Sequence, residues 1–458
     1  VTHAGVLRWA LVVGVAVILG GCPEPPVVYP DALPEAGNVH EPLGMPQEPT
    51  LNPADFPTSD QCVDCHPNHV AQWRTSSHAY AMVDPVFRAL VMQRQQDLNG
   101  TQDQFCTQCH SAIGTRGGEC VEGFTFEDLS PVVLEGVTCV ACHTATTIVR
   151  PFNSGHQLDP SAGFGGPIAD PMTSPFHDSR HEPMFETSEF CAGCHDVIET
   201  SGLELERPFA EWIQSPSFGE EQTCQDCHMP SSQGQAAVGG PERTVNAHTF
   251  VGVGLPLLDD FMSAEDFANK DAAVEALLAT AAEIELVTPS STAQDTQFDL
   301  LVTMRNKIDG HNLPTGTTFI RQVWLDVQVT DGEGRVLYRT GDLDDNGDLR
   351  DVWSALDPFG DPDLVTLSSR LVDELGEPTL FPWRATEHIA SSLPPHHERT
   401  VTLFIPVDAQ AAGPLTVEAR LQFRSMPPYL LRALGLAGYV DRLKVRTIAE
   451  ASATVDVN

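Results

Sequence analysis

Apolar positions alternate most regularly toward the C-terminus. In "VWLDVQVTD", Val323, Leu325, Val327 and Val329 share one face of an extended chain. In "LTVEARLQFR", Leu415, Val417, Ala419, Leu421 and Phe423 do the same, and "TQFDLLVTMRN" and "TVTLFIPV" are further strands. Half-buried strands at such intervals predict an antiparallel β-sandwich of immunoglobulin-like type over 284–458. Just before it, "SAEDFANKDAAVEALLATAAE" (263–283) is alanine-rich and opens on Ser263 with Asp266 in the first turn, which predicts a capped linking helix. "MPPYLLRALGL" predicts a short helix packed at the sandwich edge.

The stretch 59–262 carries no long periodic helix and offers little core of its own. Short helices after each cysteine motif, joined by irregular loops, are the expected local structure, and the whole chain reads as α+β. At the other end, Arg8 precedes "WALVVGVAVILG", too short to span a bilayer comfortably and placed like the apolar core of a signal peptide. That run ends in "LGGC", which resembles the lipobox of bacterial lipoproteins. The resemblance implies a signal peptide over 1–21 and lipidation of Cys22, hence an exported protein, periplasmic or attached to the outer membrane. Residues 22–58 follow with ten prolines and no periodicity, the composition of an extended tether.

A chain of 458 residues has room for two or three domains. Its charge is lopsided, 63 acidic against 25 basic residues, a formal −38. That balance argues against nucleic acid and against a basic face on anionic lipid, and favours cationic partners without naming one.

The cysteines change the picture more. Ten of twelve fall in five CxxCH units: Cys62-Cys65-His66, Cys106-Cys109-His110, Cys139-Cys142-His143, Cys191-Cys194-His195 and Cys224-Cys227-His228. CxxCH is the attachment signature of c-type haem: the thiols bond the porphyrin and the adjacent histidine becomes the proximal iron ligand. Structural zinc would need paired knuckles and leaves the recurring histidine unexplained. A thioredoxin-like site would be single and set in a βαβ unit. Five covalently attached haem c groups are therefore expected. Besides Cys22, only Cys120 is left over, and it reads as a small buried hydrophobe.

Overlaying Cys106 on Cys191 aligns "QFCTQCHSAIGTRGGE" with "EFCAGCHDVIETSGLE" and carries "EGVTCVACH" onto "EEQTCQDCH". The repeat points to a unit used twice, a pair of haems at fixed geometry, with the first haem outlying.

Each iron needs a sixth ligand for fast electron transfer, or an open site for chemistry. His69, His78, His156, His177, His181, His248, His311, His388, His396 and His397 are available, so supply limits nothing. His69 shares a helical face with His66 and cannot reach the far side of that haem. His78 in "WRTSSHA", His177 or His181 in "SPFHDSRH", His248 in "NAHTF", His156 in "NSGHQ" and His311 in "GHNLPTG" are the candidates. Met172, Met184 and Met229 are alternatives that more often serve as packing.

Together, "CxxCH…W..S.HA", the paired CxxCH units, "CQDCHMP" and "HTF" resemble the multihaem c-type cytochromes related to cytochrome c-554, over roughly residues 60–255. The resemblance implies a mostly helical fold with closely packed, largely bis-histidine haems, and assigns His78, His177 and His248 as distal ligands. This chain departs from that relative in having five motifs rather than four and a large extra domain. The CxxCK motif of ammonia-forming nitrite reductases is absent.

One loop of the sandwich, "DLDDNGDLRD", sets Asp342, Asp344, Asn346 and Asp348 at alternate positions with Gly347 at the bend. It matches half of an oxygen-lined Ca2+ loop, but Trp353 stands where a bidentate glutamate belongs. The reading that results is an exported pentahaem lipoprotein relaying electrons between redox partner proteins in respiration. The alternative is an oxidoreductase with one vacant iron acting on a small nitrogen or sulfur compound, with His396, His397 or Arg180 as proton donors.

Overall fold

The alternation in the C-terminal half becomes strand. In this computed structural model, which describes residues 48–172 and 174–458, seven strands build two facing sheets. They are β1 (Ala282–Val287), β2 (Thr296–Asn306), β3 (Gln322–Thr330), β4 (Val336–Thr340), β5 (Glu398–Val407), β6 (Leu415–Arg424) and β7 (Arg446–Val457). One sheet orders β7–β6–β3–β4, and the other β5–β2–β1. Their ladders are antiparallel; the short strand Ser291–Thr292 pairs parallel to β7 at the edge.

Register places Val323 opposite Phe423, Leu325 opposite Leu421, Val327 opposite Ala419 and Val329 opposite Val417. These share one core with Leu300, Val302 and Ile405 of the facing sheet, all with no accessible surface. A period of two thus buries one face of each strand. Leu325→Ala is expected to cost about 2–5 kcal/mol, because the site is walled by two sheets and cannot collapse; chemical denaturation reads it.

The helix Ala264–Leu278 starts where its cap predicts: Ser263 Oγ accepts from Asp266 N at 3.1 Å. It stops at Leu278 because β1 takes over at Ala282. Val274 and Leu278 enter the sandwich core, so this helix packs as part of that layer. Lys270 Nζ reaches the other way, to Thr75 O at 2.8 Å.

In the N-terminal region the motifs sit within helices instead of before them. Gln104–His110, Cys139–His143, Ser188–His195 and Cys224–His228 each end on the motif histidine. The first motif forms a turn ahead of Pro67–Arg74. A helical turn places cysteines three apart on one face, which a two-point attachment requires. Phe56, Met82, Phe87, Val91, Ile113, Val133 and the fully buried Cys120 form the region's main core. A hairpin, Ser231–Gln235 with Glu242–Asn246, adds strand the sequence reading did not anticipate.

The two regions are stitched together. Val86, Leu257 and Leu431 form a shared cluster, the last from the short helix Pro428–Ala433. Asp97 pairs with Arg384 at 2.6 Å and accepts from Trp383 Nε1 at 2.7 Å. The described residues belong to one compact unit. The expected signal peptide over 1–21, Cys22 and the expected tether up to residue 47 lie outside them. No helix among the described residues is long and apolar enough to cross a membrane.

Candidate functional site

The motif histidines are oriented from behind. His66 Nδ1 bonds Ala236 O at 2.6 Å, His143 Nδ1 bonds Gly165 O at 2.7 Å, and His228 Nδ1 bonds Val251 O at 2.9 Å. His110 Nδ1 lies 3.3 Å from Ala81 O. A backbone carbonyl on Nδ1 fixes the proton there and leaves Nε2 as the ligating nitrogen.

Opposite four of the five motif histidines stands a second histidine. His66 faces His177 with ring centroids 6.2 Å apart, His195 faces His78 at 6.0 Å, His143 faces His248 at 6.3 Å, and His228 faces His311 at 6.4 Å. Two imidazoles bound to opposite sides of one metal, with bonds of about 2 Å each, stand roughly this far apart. On the second histidines too, Nδ1 turns to a carbonyl: His248 to Asn246 O and His311 to Asn312 O, both at 2.9 Å. The residues fit a six-coordinate iron between each pair.

Electrostatics agree with that fit. Burial pushes His78 and His248 down to about 3, and His110 and His311 to about 4. These rings are neutral at pH 7, the form that ligates. Each nevertheless keeps accessible surface. Side chains that are enclosed yet accessible line interior space, as the walls of a large flat cofactor would.

His110 differs. Its ring stacks on Phe87 at 3.9 Å, and no histidine stands opposite it among the described residues. His156 and His181 are not brought opposite any motif histidine. His156 Nε2 is taken by Phe190 O at 2.7 Å, and its ring presses on the backbone of the fourth motif. A Cβ added at Gly193 would meet His156 Cε1 at 2.2 Å, so that motif position needs glycine. His181 is exposed on a short strand, Ser179–His181. His69 packs edge-on to His248 at 4.8 Å.

Among the described residues no two cysteines form a disulfide. Those of different motifs come close enough to shift one another's ionisation: Cys62 with Cys139, Cys109 with Cys194, and Cys191 with Cys224. Cys142 lies within electrostatic reach of both Cys191 and Cys194. The attachment points therefore run first–third–fourth–fifth, with the second branching from the fourth. The sequence repeat, by contrast, groups second with third and leaves the first outlying.

In the acidic loop, arginines meet the carboxylates. Arg350 Nη2 donates to Asp342 at 2.5 Å, Arg432 pairs with Asp348, and Ser354 Oγ donates to Asp344 at 2.6 Å. Arg424 Nη1 donates to Gly347 O at 2.6 Å.

Residues 61–144 match the family model described as cytochrome c554 and c-prime. A penta-heme cytochrome c552 from Thermochromatium tepidum shares the fold, at TM-score 0.60 and 22% identity over 88% of this chain and 100% of that one. A CARDB domain from Pyrococcus furiosus overlaps 39% of this chain and 86% of its own at 11% identity, but its TM-score of 0.17 carries no argument. No curated protein sequence matches.

Proposed function

We propose that this multihaem c-type cytochrome, extended by a C-terminal β-sandwich, is an exported pentahaem electron carrier with four bis-histidine irons. The observation that carries the proposal is the set of four facing imidazole pairs at 6.0–6.4 Å. Bis-histidine ligation suits electron transfer, because no ligand has to enter or leave as the charge changes. Bound haem c supplies the one-electron chemistry; the chain supplies everything that positions it. Carbonyls hold the ligand tautomers, neighbouring motifs bring attachment points into contact, and His311 ties the sandwich to the last of them.

One observation favours a second reading. His110 has Phe87 against its ring and no histidine facing it among the described residues, which leaves that iron as an open site for a small nitrogen or sulfur compound. The two readings combine: electrons enter over the paired irons and reach a branch that ends at His110.

The same proposal takes Cys22 as a lipid anchor and a periplasmic or outer-membrane-attached site for respiratory electron flow. The partners are redox proteins with a cationic docking face, given the formal charge of −38, and nucleic acid is not among them. We read the loop at Asp342, Asp344, Asn346 and Asp348 as an arginine-braced turn rather than a Ca2+ site.

The test is a haem count on protein exported by a host with haem c maturation. Intact mass and the pyridine haemochrome are expected to give five haems per chain. Four or fewer would contradict the proposal and name the motif that fails, once peptides are mapped.

A further inference from the structure

Between the fifth motif and the linking helix, one short segment touches histidines of three different pairs. The hairpin Ser231–Gln235 with Glu242–Asn246 closes with Ser231 opposite Asn246, and Ala247 N donates to Pro230 O at 3.1 Å, so the chain returns to the fifth motif. His248 follows at once. Its Nδ1 bonds Asn246 O at 2.9 Å, and its backbone N donates to Gln72 Oε1 at 2.8 Å, on the helix after the first motif. Three residues further on, Val251 O holds His228 Nδ1 at 2.9 Å. Between these two fixed points stands Phe250.

The backbone of Phe250 lies in the left-handed region, at φ 45°. A bulky side chain rarely occupies it, because Cβ crowds the backbone carbonyl. Such strain persists only where the surroundings impose it. What it achieves here is the aim of one ring at two ligands. Phe250 stands edge-on to His78, with centroids 4.4 Å apart and planes at 64°, and edge-on to His248 at 5.6 Å and 80°. Those two histidines face His195 and His143, with ring planes at 52° and 23°. An imidazole bound to a metal through one nitrogen is free to turn about that bond, so its plane is set by what packs against it.

We propose that Phe250 is a shared positioning residue: its ring, aimed by a strained backbone, fixes the planes of the His78 and His248 imidazoles together. The proposal rests on the bis-histidine reading of the third and fourth haems. It makes one side chain responsible for the ligand geometry of two irons whose motifs are neighbours in the run of attachment points.

The test is electron paramagnetic resonance of the oxidised, fully haem-loaded protein, where the largest g value of a low-spin iron follows the angle between its two ligand planes. His78→Ala, His248→Ala and His311→Ala are each expected to remove one low-spin signal, which assigns the fourth, third and fifth haems. Phe250→Gly then decides: glycine takes φ 45° without strain, so the segment keeps its path while the ring is lost. The signals of the third and fourth haems are expected to shift, while that of the fifth, whose His228 is held by Val251 O, stays in place. Phe250→Tyr, which retains the ring, is expected to keep both at their parent positions. No shift in Phe250→Gly, or a shift at one haem alone, would overturn the proposal. A shift that includes the fifth haem would overturn it too, by assigning the effect to the backbone of the segment. If Phe250→Gly fails to load its haems, Phe250→Leu is read in the same way. Should His78→Ala or His248→Ala leave every low-spin signal in place, the bis-histidine reading of that iron fails instead.

Discussion

His311→Ala is expected to leave the haem at Cys224 and Cys227 attached while opening its iron, so that carbon monoxide uptake by the reduced protein rises by one haem equivalent. The reason is local. His311 stands opposite His228 at 6.4 Å on the loop that follows β2. Fully buried Asn306, the last residue of β2, clamps that loop: its Nδ2 donates to His311 O at 3.1 Å and to Leu393 O at 2.9 Å. Across the seam, Asn312 N donates to Glu211 Oε2 at 3.1 Å. Removing the imidazole leaves this backbone frame intact, so no other side chain is delivered in its place. His156→Ala, whose ring serves packing and a carbonyl, is expected to add no uptake. Equal uptake in His311→Ala and the parent would mean that the sandwich does not ligate.

The second large effect is on stability. Arg94 and Glu199 form an ion pair at 2.8 Å whose side chains are 2% and 5% exposed. Arg94 also donates to Gln102 Oε1 at 3.2 Å and lies over the rings of Phe105 and Trp383. Arg94→Ala strands a buried carboxylate and empties the space between two aromatic rings, and is expected to cost about 3–5 kcal/mol. Chemical denaturation of the haem-loaded protein measures it. The double change Arg94→Met with Glu199→Gln, which removes both charges, is expected to lose much less. A small loss in Arg94→Ala alone would show that water reaches the pair.

How much of this was legible in the chain depended on whether a signal was local. Strands β3 and β6 declare themselves because Val, Leu and Phe alternate along them, and one buried face needs no more than that. Strand β7 carries no such signal: "RTIAEASATVDV" alternates mostly small side chains, and the buried Ile448 and Val455 are too far apart to set a period. The five motifs are local and unmistakable. Their grouping is not, because thiols from Cys62 and Cys139 meet through folding that no spacing records.

Ligand choice shows the same divide. His311 and His156 look alike in sequence, each in a glycine- and asparagine-containing loop. Only the fold turns one toward His228 and gives the other's Nε2 to Phe190 O.

The central claim is that four irons are closed by histidine pairs and the one at His110 is not. A carbon monoxide titration of the reduced, fully loaded protein tests it most directly. The expected difference spectrum saturates at one equivalent per five haems. No uptake would mean His110 has a strong partner after all, and two or more equivalents would mean the facing pairs do not hold their irons.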